Sequence, residues 1–148
     1  MERLPVGVVV VNWNGGALLD ACLDALDPQG ASRLLVVDNG SEPDEVRRLA
    51  NRDGVFVLPL GANRGFAPAS NAGAVDARLK ALPFLAFVNN DAVLEPGYLA
   101  ACVAALEADP GLSAVQGVVL DADGTRVDGL GLGWNRRHEA VQLGHGEE

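Results

Sequence analysis

The chain has 148 residues, 49% of them hydrophobic and 21% charged, and a formal net charge of −9. That is long enough for one domain with its own core, and the composition is that of an ordinary globular protein. The acidic balance argues against nucleic-acid binding through bulk charge. No apolar run reaches membrane-spanning length and the N-terminus lacks a signal-peptide plan, so a cytoplasmic protein is expected, peripheral at most at the inner face of the membrane.

Val6-Gly-Val-Val-Val-Val11 is a β-branched run of the kind buried on both faces of a parallel sheet. It stops at Asn12-Trp-Asn-Gly-Gly16. Leu18, Leu19, Cys22, Leu23 and Leu26 then recur at helical steps, and Pro28 and Gly30 end that helix. Leu34-Leu-Val-Val37 reads as a second strand, closing on Asp38-Asn-Gly-Ser41. Ser41 or Asp44 is expected to cap a more polar helix carrying Val46, Leu49 and Ala50. Val55-Phe-Val-Leu58 is a third strand, followed by Gly61-Ala-Asn-Arg-Gly65 and a small-residue helix from about Phe66 to Lys80. Phe84-Leu-Ala-Phe-Val88 reads as a fourth, buried strand that runs into Asn89, Asn90 and Asp91, with a helix over 97–108 behind it.

Strands alternating with helices predict an α/β fold with a doubly wound, mostly parallel sheet and right-handed crossovers. Beyond this, Ala114–Leu120 is expected as a fifth strand, with a hairpin turn at Asp121-Ala-Asp-Gly-Thr125. The signal then decays, and no strand or helix is expected to close the last segment. Cys22 and Cys102 lie inside helical patterns and are expected as free thiols. His138 and His145 have no partners at metal spacing and read as surface residues. Gly129-Leu-Gly-Leu-Gly133 lacks the spacing of a dinucleotide fingerprint.

The polar residues fall at strand ends: Asn12 and Asn14, then Asp38, Asn39 and Ser41, then Asn63, then Asn89 and Asp91. With strand order 3-2-1-4, strands one and four adjoin at the switch point, and Asn12, Asp38 and Asp91 line one crevice. Asp38 suits a base imide or a ribose hydroxyl, and equally an Asx turn. The small residues of Asn63–Gly73 allow close approach of a ligand, or of helix to sheet, with Asn71 as a donor. Arg64 is a candidate phosphate contact. Asp91 is a candidate ligand for a hard cation, Mg2+ or Mn2+.

Four motifs, Val9–Gly15, Val36–Ser41, Asn63–Gly73 and Phe87–Ala92, together resemble the family 2 inverting glycosyltransferases, in particular the bacterial rhamnosyltransferase-like branch. The resemblance implies the GT-A fold. It also implies sugar transfer with inversion from a nucleotide-diphosphate sugar to a glycan or lipid-linked acceptor hydroxyl, as in cell-wall or polysaccharide biosynthesis. Asn12, Asn14, Asp38, Ser41, Asn63, Arg64, Gly65, Phe66, Asn71, Asn89 and Asn90 would then bind the nucleotide sugar, and Asp91 the divalent cation bridging its diphosphate. Only the last acid of the family's Asp-X-Asp is kept. Residues 1–120 would be the nucleotide-sugar-binding core, and 121–148 a hairpin and an irregular, incomplete start of the acceptor-binding half. The catalytic base is expected beyond Glu148, the chain being the donor-binding portion of a longer enzyme, with uncovered surface suited to homo-oligomer formation. The alternatives are a catalytically inactive nucleotide-sugar-binding or assembly module and, less favoured because Asn12–Gly16 has no basic residue, a nucleotidyltransferase.

Overall fold

The computed structural model describes residues 3–76 and 78–146. Two compact units emerge, Met1–Val103 and Ala104–Glu148. The first contains strand β1 (Leu4–Asn12), helix α1 (Gly16–Leu26) with a 3-10 turn at Asp27–Gln29, β2 (Ala31–Asp38), α2 (Pro43–Ala50), β3 (Val55–Pro59), α3 (Phe66–Ala74) and β4 (Phe84–Asn89). Helix α4 (Tyr98–Ala108) starts in this unit. The four strands form one parallel sheet in the order β3-β2-β1-β4, as the sequence predicts.

Alternation along β1 divides the core. Val6, Val8 and Val10 pack with Leu19, Cys22, Leu23 and Leu26 of α1, Leu49 of α2, and Leu99 and Val103 of α4. Val9 packs on the other face with Leu35, Val37, Ala69 of α3 and Leu79. Each such valine or leucine stabilises the fold by roughly 1.5–3 kcal/mol on full burial. Helix α3 lies tight on the sheet because position 73 is glycine. A Cβ there would sit 2.5 Å from Val9 Cγ1 and 2.9 Å from Val37 Cγ2. Asp20 and Asp24 of α1 pair with Arg48 and Arg52 across the α1–α2 surface, a partly exposed ladder of small energetic weight.

Several boundaries differ from expectation for local reasons. Helix α3 ends at Ala74 rather than near Lys80, because Asp76 turns its carboxylate onto the Arg78 backbone N–H and guanidinium, closing a turn that competes with the helix. Neither Ser41 nor Asp44 caps α2. Glu42, in extended conformation, precedes Pro43 at the first helical position, where a missing N–H costs nothing. Strand β4 is an edge, half-buried on one side only, with Leu85 and Phe87 exposed on the other.

In the second unit the expected fifth strand shrinks to β5 (Val119–Leu120), paired antiparallel with β6 (Val127–Gly129). The turn between them is as expected, with Gly124 at φ 73° and its N–H bonded to the Asp121 carbonyl at 2.9 Å. The last segment, expected to be irregular, forms a second hairpin, β7 (Leu132–Trp134) with β8 (Ala140–Gln142). Asn135 organises it. Its Oδ1 accepts the N–H groups of Arg137 and Glu139, and His138 adopts φ 59°. Both cysteines are free thiols. Among the described residues no helix is long and apolar enough to cross a membrane.

Candidate functional site

Parallel register sets the strand ends abreast. Asn12 is the ladder partner of Asp38, and Val11 that of Asn89. Four chain segments leave the sheet along this edge, and side-chain amides tie them together.

Asn12 is 0% exposed. Its Oδ1 accepts the Gly15 N–H and the Asn90 amide, each at 3.1 Å. Its Nδ2 donates to Glu45 Oε1 at 2.9 Å and to Ser41 Oγ at 3.3 Å. Two bonds accepted and two donated are the full capacity of an asparagine amide. Asn12, expected beside the nucleotide, braces the loops of this edge with all four hydrogen-bonding positions of its side chain engaged. Asn14 adds a second link. In the left-handed region at φ 51°, which asparagine tolerates, it donates its backbone N–H to Ser41 Oγ and accepts the Glu42 N–H, both at 2.9 Å.

Asp38 is also buried, at 1% exposure. Its Oδ2 accepts the backbone N–H groups of Gly40 and Ser41, each at 3.3 Å, which is the Asx turn. Its Oδ1 is buried with no hydrogen-bond partner among the described residues. A buried carboxylate oxygen left unpaired costs about 1–3 kcal/mol or more; a donor that reached it would relieve this cost, but the atom is closed off from solvent here, so the loops around it must part first. The turn and the ligand reading of Asp38 are thus compatible, one for each oxygen.

Asn39 carries the next link. Its amide donates to Asn63 Oδ1 at 3.1 Å, and its Oδ1 accepts the Arg64 N–H at 2.8 Å. Asn63 Oδ1 also accepts the Gly65 N–H at 3.0 Å. The 61–65 segment is thereby drawn against Gly40 (φ 86°), where a Cβ would lie 2.6 Å from the backbone of Ala62 and Asn63. The Arg64 guanidinium bonds the Leu60 carbonyl from an exposed position. Phe66, at the start of α3, is 60% exposed. Asn71 lies on an exposed face of α3, and among the described residues no hydrogen bond joins its side chain to the rest of the set.

On β4, the Asn89 carbonyl accepts Cys22 Sγ at 3.4 Å, and Asn90 reaches Asn12. Burial first, and the nearby Asp91 charge second, push the Cys22 thiol up to about 11. Asp91 itself is exposed and makes no hydrogen bond or ion pair among the described residues. No cluster of three or more His, Cys, Asp or Glu occurs among them. A protein-only cation cage is therefore not what this edge offers. A single free carboxylate does suit Mg2+ or Mn2+, which keep water and substrate phosphates as their other ligands.

A family model, "Glycosyl transferase family 2", matches residues 7–144. The chain belongs to glycosyl transferase family 2. Its parallel 3-2-1-4 sheet with flanking helices is the GT-A α/β architecture, and membership gives its chemistry in general terms, glycosyl transfer from a nucleotide-sugar donor. No curated protein matches the chain.

Two members of this family 2 edge have no role assigned from the sequence. Asn39 stands among the polar strand ends there but looks like one more turn former. Glu45 looks like an ordinary acidic residue of a helix first turn, yet its side chain is 13% exposed. The signal was its spacing, since Glu45 and Leu49 share one stripe of α2. Burial alone would raise its pKa, but bonds from the Asn12 amide and Gly16 N–H, with the Arg48 guanidinium, hold it below the usual range.

Proposed function

We propose that the edge formed by the ends of β1, β2 and β4 binds the nucleotide diphosphate of a sugar donor, for transfer with inversion to an acceptor hydroxyl in the manner of the rhamnosyltransferase-like branch. The observation that carries this is the buried, unpartnered Asp38 Oδ1. It would accept a base imide N–H or a ribose hydroxyl, the role an acid takes after a strand in dinucleotide folds. Arg64 and Gly65, next to the bonded Asn39–Asn63 pair, suit the phosphates and the close approach of the donor. Phe66 offers an exposed ring, and Asn71, Asn89 and Asn90 lie on the same donor side of the reading.

Asp91 would hold a divalent cation together with the donor diphosphate. That cation, when bound, supplies Lewis-acid stabilisation of charge on the leaving group. The chain's own contribution is orientation. Asn12 and Ser41 fix the β1 and β2 loops, Asn39 and Asn63 fix the 61–65 segment, and Asp38 selects the nucleoside. Inversion by single displacement also needs a base at the acceptor hydroxyl. A glycan or lipid-linked acceptor, cytoplasmic location and self-association remain part of this proposal.

Calorimetric titration of UDP, GDP and dTDP, with and without Mn2+, tests it. One of the three should bind, and Asp38→Asn should weaken it by about 10- to 100-fold, the equivalent of 1.5–3 kcal/mol for a charged hydrogen bond. Asp91→Ala should remove the gain that Mn2+ brings. Absence of binding by all three, or full affinity in Asp38→Asn, would sink the reading.

A further inference from the structure

We infer that Glu45 is a positioning residue for the Asn90–Asp91 corner, acting through Asn12. Two acids occupy the first turn of α2, where either would complement the helix dipole. Asp44 does so from solvent, 91% exposed and paired with Arg47. Glu45 turns inward instead, where its Oε1 accepts both Asn12 Nδ2 and the Gly16 N–H, at 2.9 and 3.2 Å. A solvated partner would have sufficed for the dipole, so the inward placement needs another cause.

The cause lies in what a carboxylate can do. It only accepts. It therefore forces the NH2 of Asn12 towards α2 and the oxygen towards Gly15 and Asn90. The oxygen in turn forces Asn90 to present its NH2. The chain Asn90→Asn12→Glu45 has one direction, set by two groups that agree: Glu45, which only accepts, and the Gly15 N–H, which only donates to Asn12 Oδ1. Asn90 precedes Asp91, and the segment beyond is held separately. Gln29 donates to the Glu95 carbonyl at 2.8 Å and accepts the Leu99 N–H at 3.2 Å. The corner is thus anchored behind by Gln29 and in front by Glu45 through two amides. The expected effect on a bound cation rests on the proposed role of Asp91; the coupling between Glu45 and Asn90 does not.

Glu45→Ala, Glu45→Gln, Asn90→Ala and their double variant in the full chain test this. The probe is whichever of UDP, GDP and dTDP binds the wild type most tightly. The Mn2+-dependent gain in affinity should fall roughly 10-fold or more in Glu45→Ala, the size of outer-shell effects on metal sites. Asn90→Ala should lose as much, and the double variant no more. In Glu45→Ala the metal-free affinity should hardly change, and Glu45→Gln, which keeps an acceptor oxygen, should recover most of the loss. In the metal-free protein the Asn90 side-chain amide resonance, assigned by its loss in Asn90→Ala, should shift in Glu45→Ala and less in Glu45→Gln. Additive losses of the Mn2+-dependent gain, or a loss in Glu45→Ala that is equal with and without Mn2+, overturn the inference. An unmoved Asn90 resonance overturns it whether or not nucleotide binds. A wild type with no Mn2+-dependent gain, but a moving resonance, overturns the Asp91 reading and leaves the coupling standing. If Glu45→Ala does not fold, the resonance in Glu45→Gln decides.

Discussion

Asn12→Asp changes one NH2 into an oxygen at the most enclosed point of the edge. Oδ1 can still accept from Gly15 and Asn90. The other oxygen would face Glu45 Oε1 at the 2.9 Å now spanned by an N–H···O bond. Two charges at that distance repel by about 6 kcal/mol at an effective dielectric constant of ~20. Taking up a proton is the alternative, and it costs ~1.4 kcal/mol per pH unit above an ordinary carboxyl pKa of about 4. The smaller cost wins, so the penalty is about 4 kcal/mol at pH 7 and about 1.4 kcal/mol at pH 5. In the variant the folded-state pKa of the pair lies above the unfolded value. The penalty is therefore absent below about pH 4, grows as pH rises, and levels off above the raised pKa. Wild-type Glu45 moves the other way. Its contribution is present above its unfolded pKa of about 4.3 and lost only as pH falls through the depressed folded value, so the wild-type reference is steady from pH 5 to 8. At ~2–4 °C per kcal/mol for a chain of this size, thermal denaturation by circular dichroism should show a deficit of roughly 8–16 °C at pH 7 and about 3–6 °C at pH 5. A deficit equal at both pH values, or under about 2 °C at pH 7, would mean that Asn12 and Glu45 are not in contact.

Gly73→Ala should be destabilising although alanine favours helices. Overpacking against Val9 and Val37 costs about 1–3 kcal/mol, against a propensity gain of at most ~1 kcal/mol. The urea midpoint should drop by roughly 0.5–1 M, and an unchanged or higher midpoint would contradict the packing of α3. Gly40→Ala should lower stability by about 2–4 kcal/mol, since it adds a left-handed alanine to a clash with the Ala62–Asn63 backbone. It should also weaken nucleotide binding by displacing Asn63 and Arg64, as calorimetry would show. Cys22, fully buried and with its thiol pushed up to about 11, should be only ~0.1% thiolate at pH 8. A chromogenic disulfide reagent should label it only on unfolding, and fast native labelling traced to Cys22 by mass spectrometry would refute its placement.

The sheet was legible because its strands are β-branched runs that end abruptly in asparagine and aspartate, and because alternation with helices leaves few topologies. Order 3-2-1-4, the one observed, is among the few that pattern allows. What was not legible is the partition of labour among the polar residues. Asn12, Asn39 and Asp38 look alike in sequence, each a short polar group after a strand. Only the three-dimensional count of donors and acceptors separates a saturated brace from an acid with one oxygen free. Glu45 was hidden for a related reason, since its helix position suggested solvent until the buried amide beside it was seen. The second hairpin, β7–β8, was missed because Asn135 closes it with side-chain bonds that no apolar periodicity announces. The end of α3 was misplaced for the same cause at Asp76.

The bond between Asn90 and Asn12 spans 78 residues. Ribosomes extend a chain by about 5–20 residues per second, so β1 is made some 4–16 seconds before its β4 neighbour. Through that interval the valines of β1 have β2 on one side and nothing on the other, a state in which an unpaired strand edge recruits foreign partners. Long-range parallel pairing is slow in any case, because loop closure precedes its reward. Docking of β4 and closure of the Asn12–Asn90 link go together, so a nascent chain completes this edge only when it loses its stickiest one.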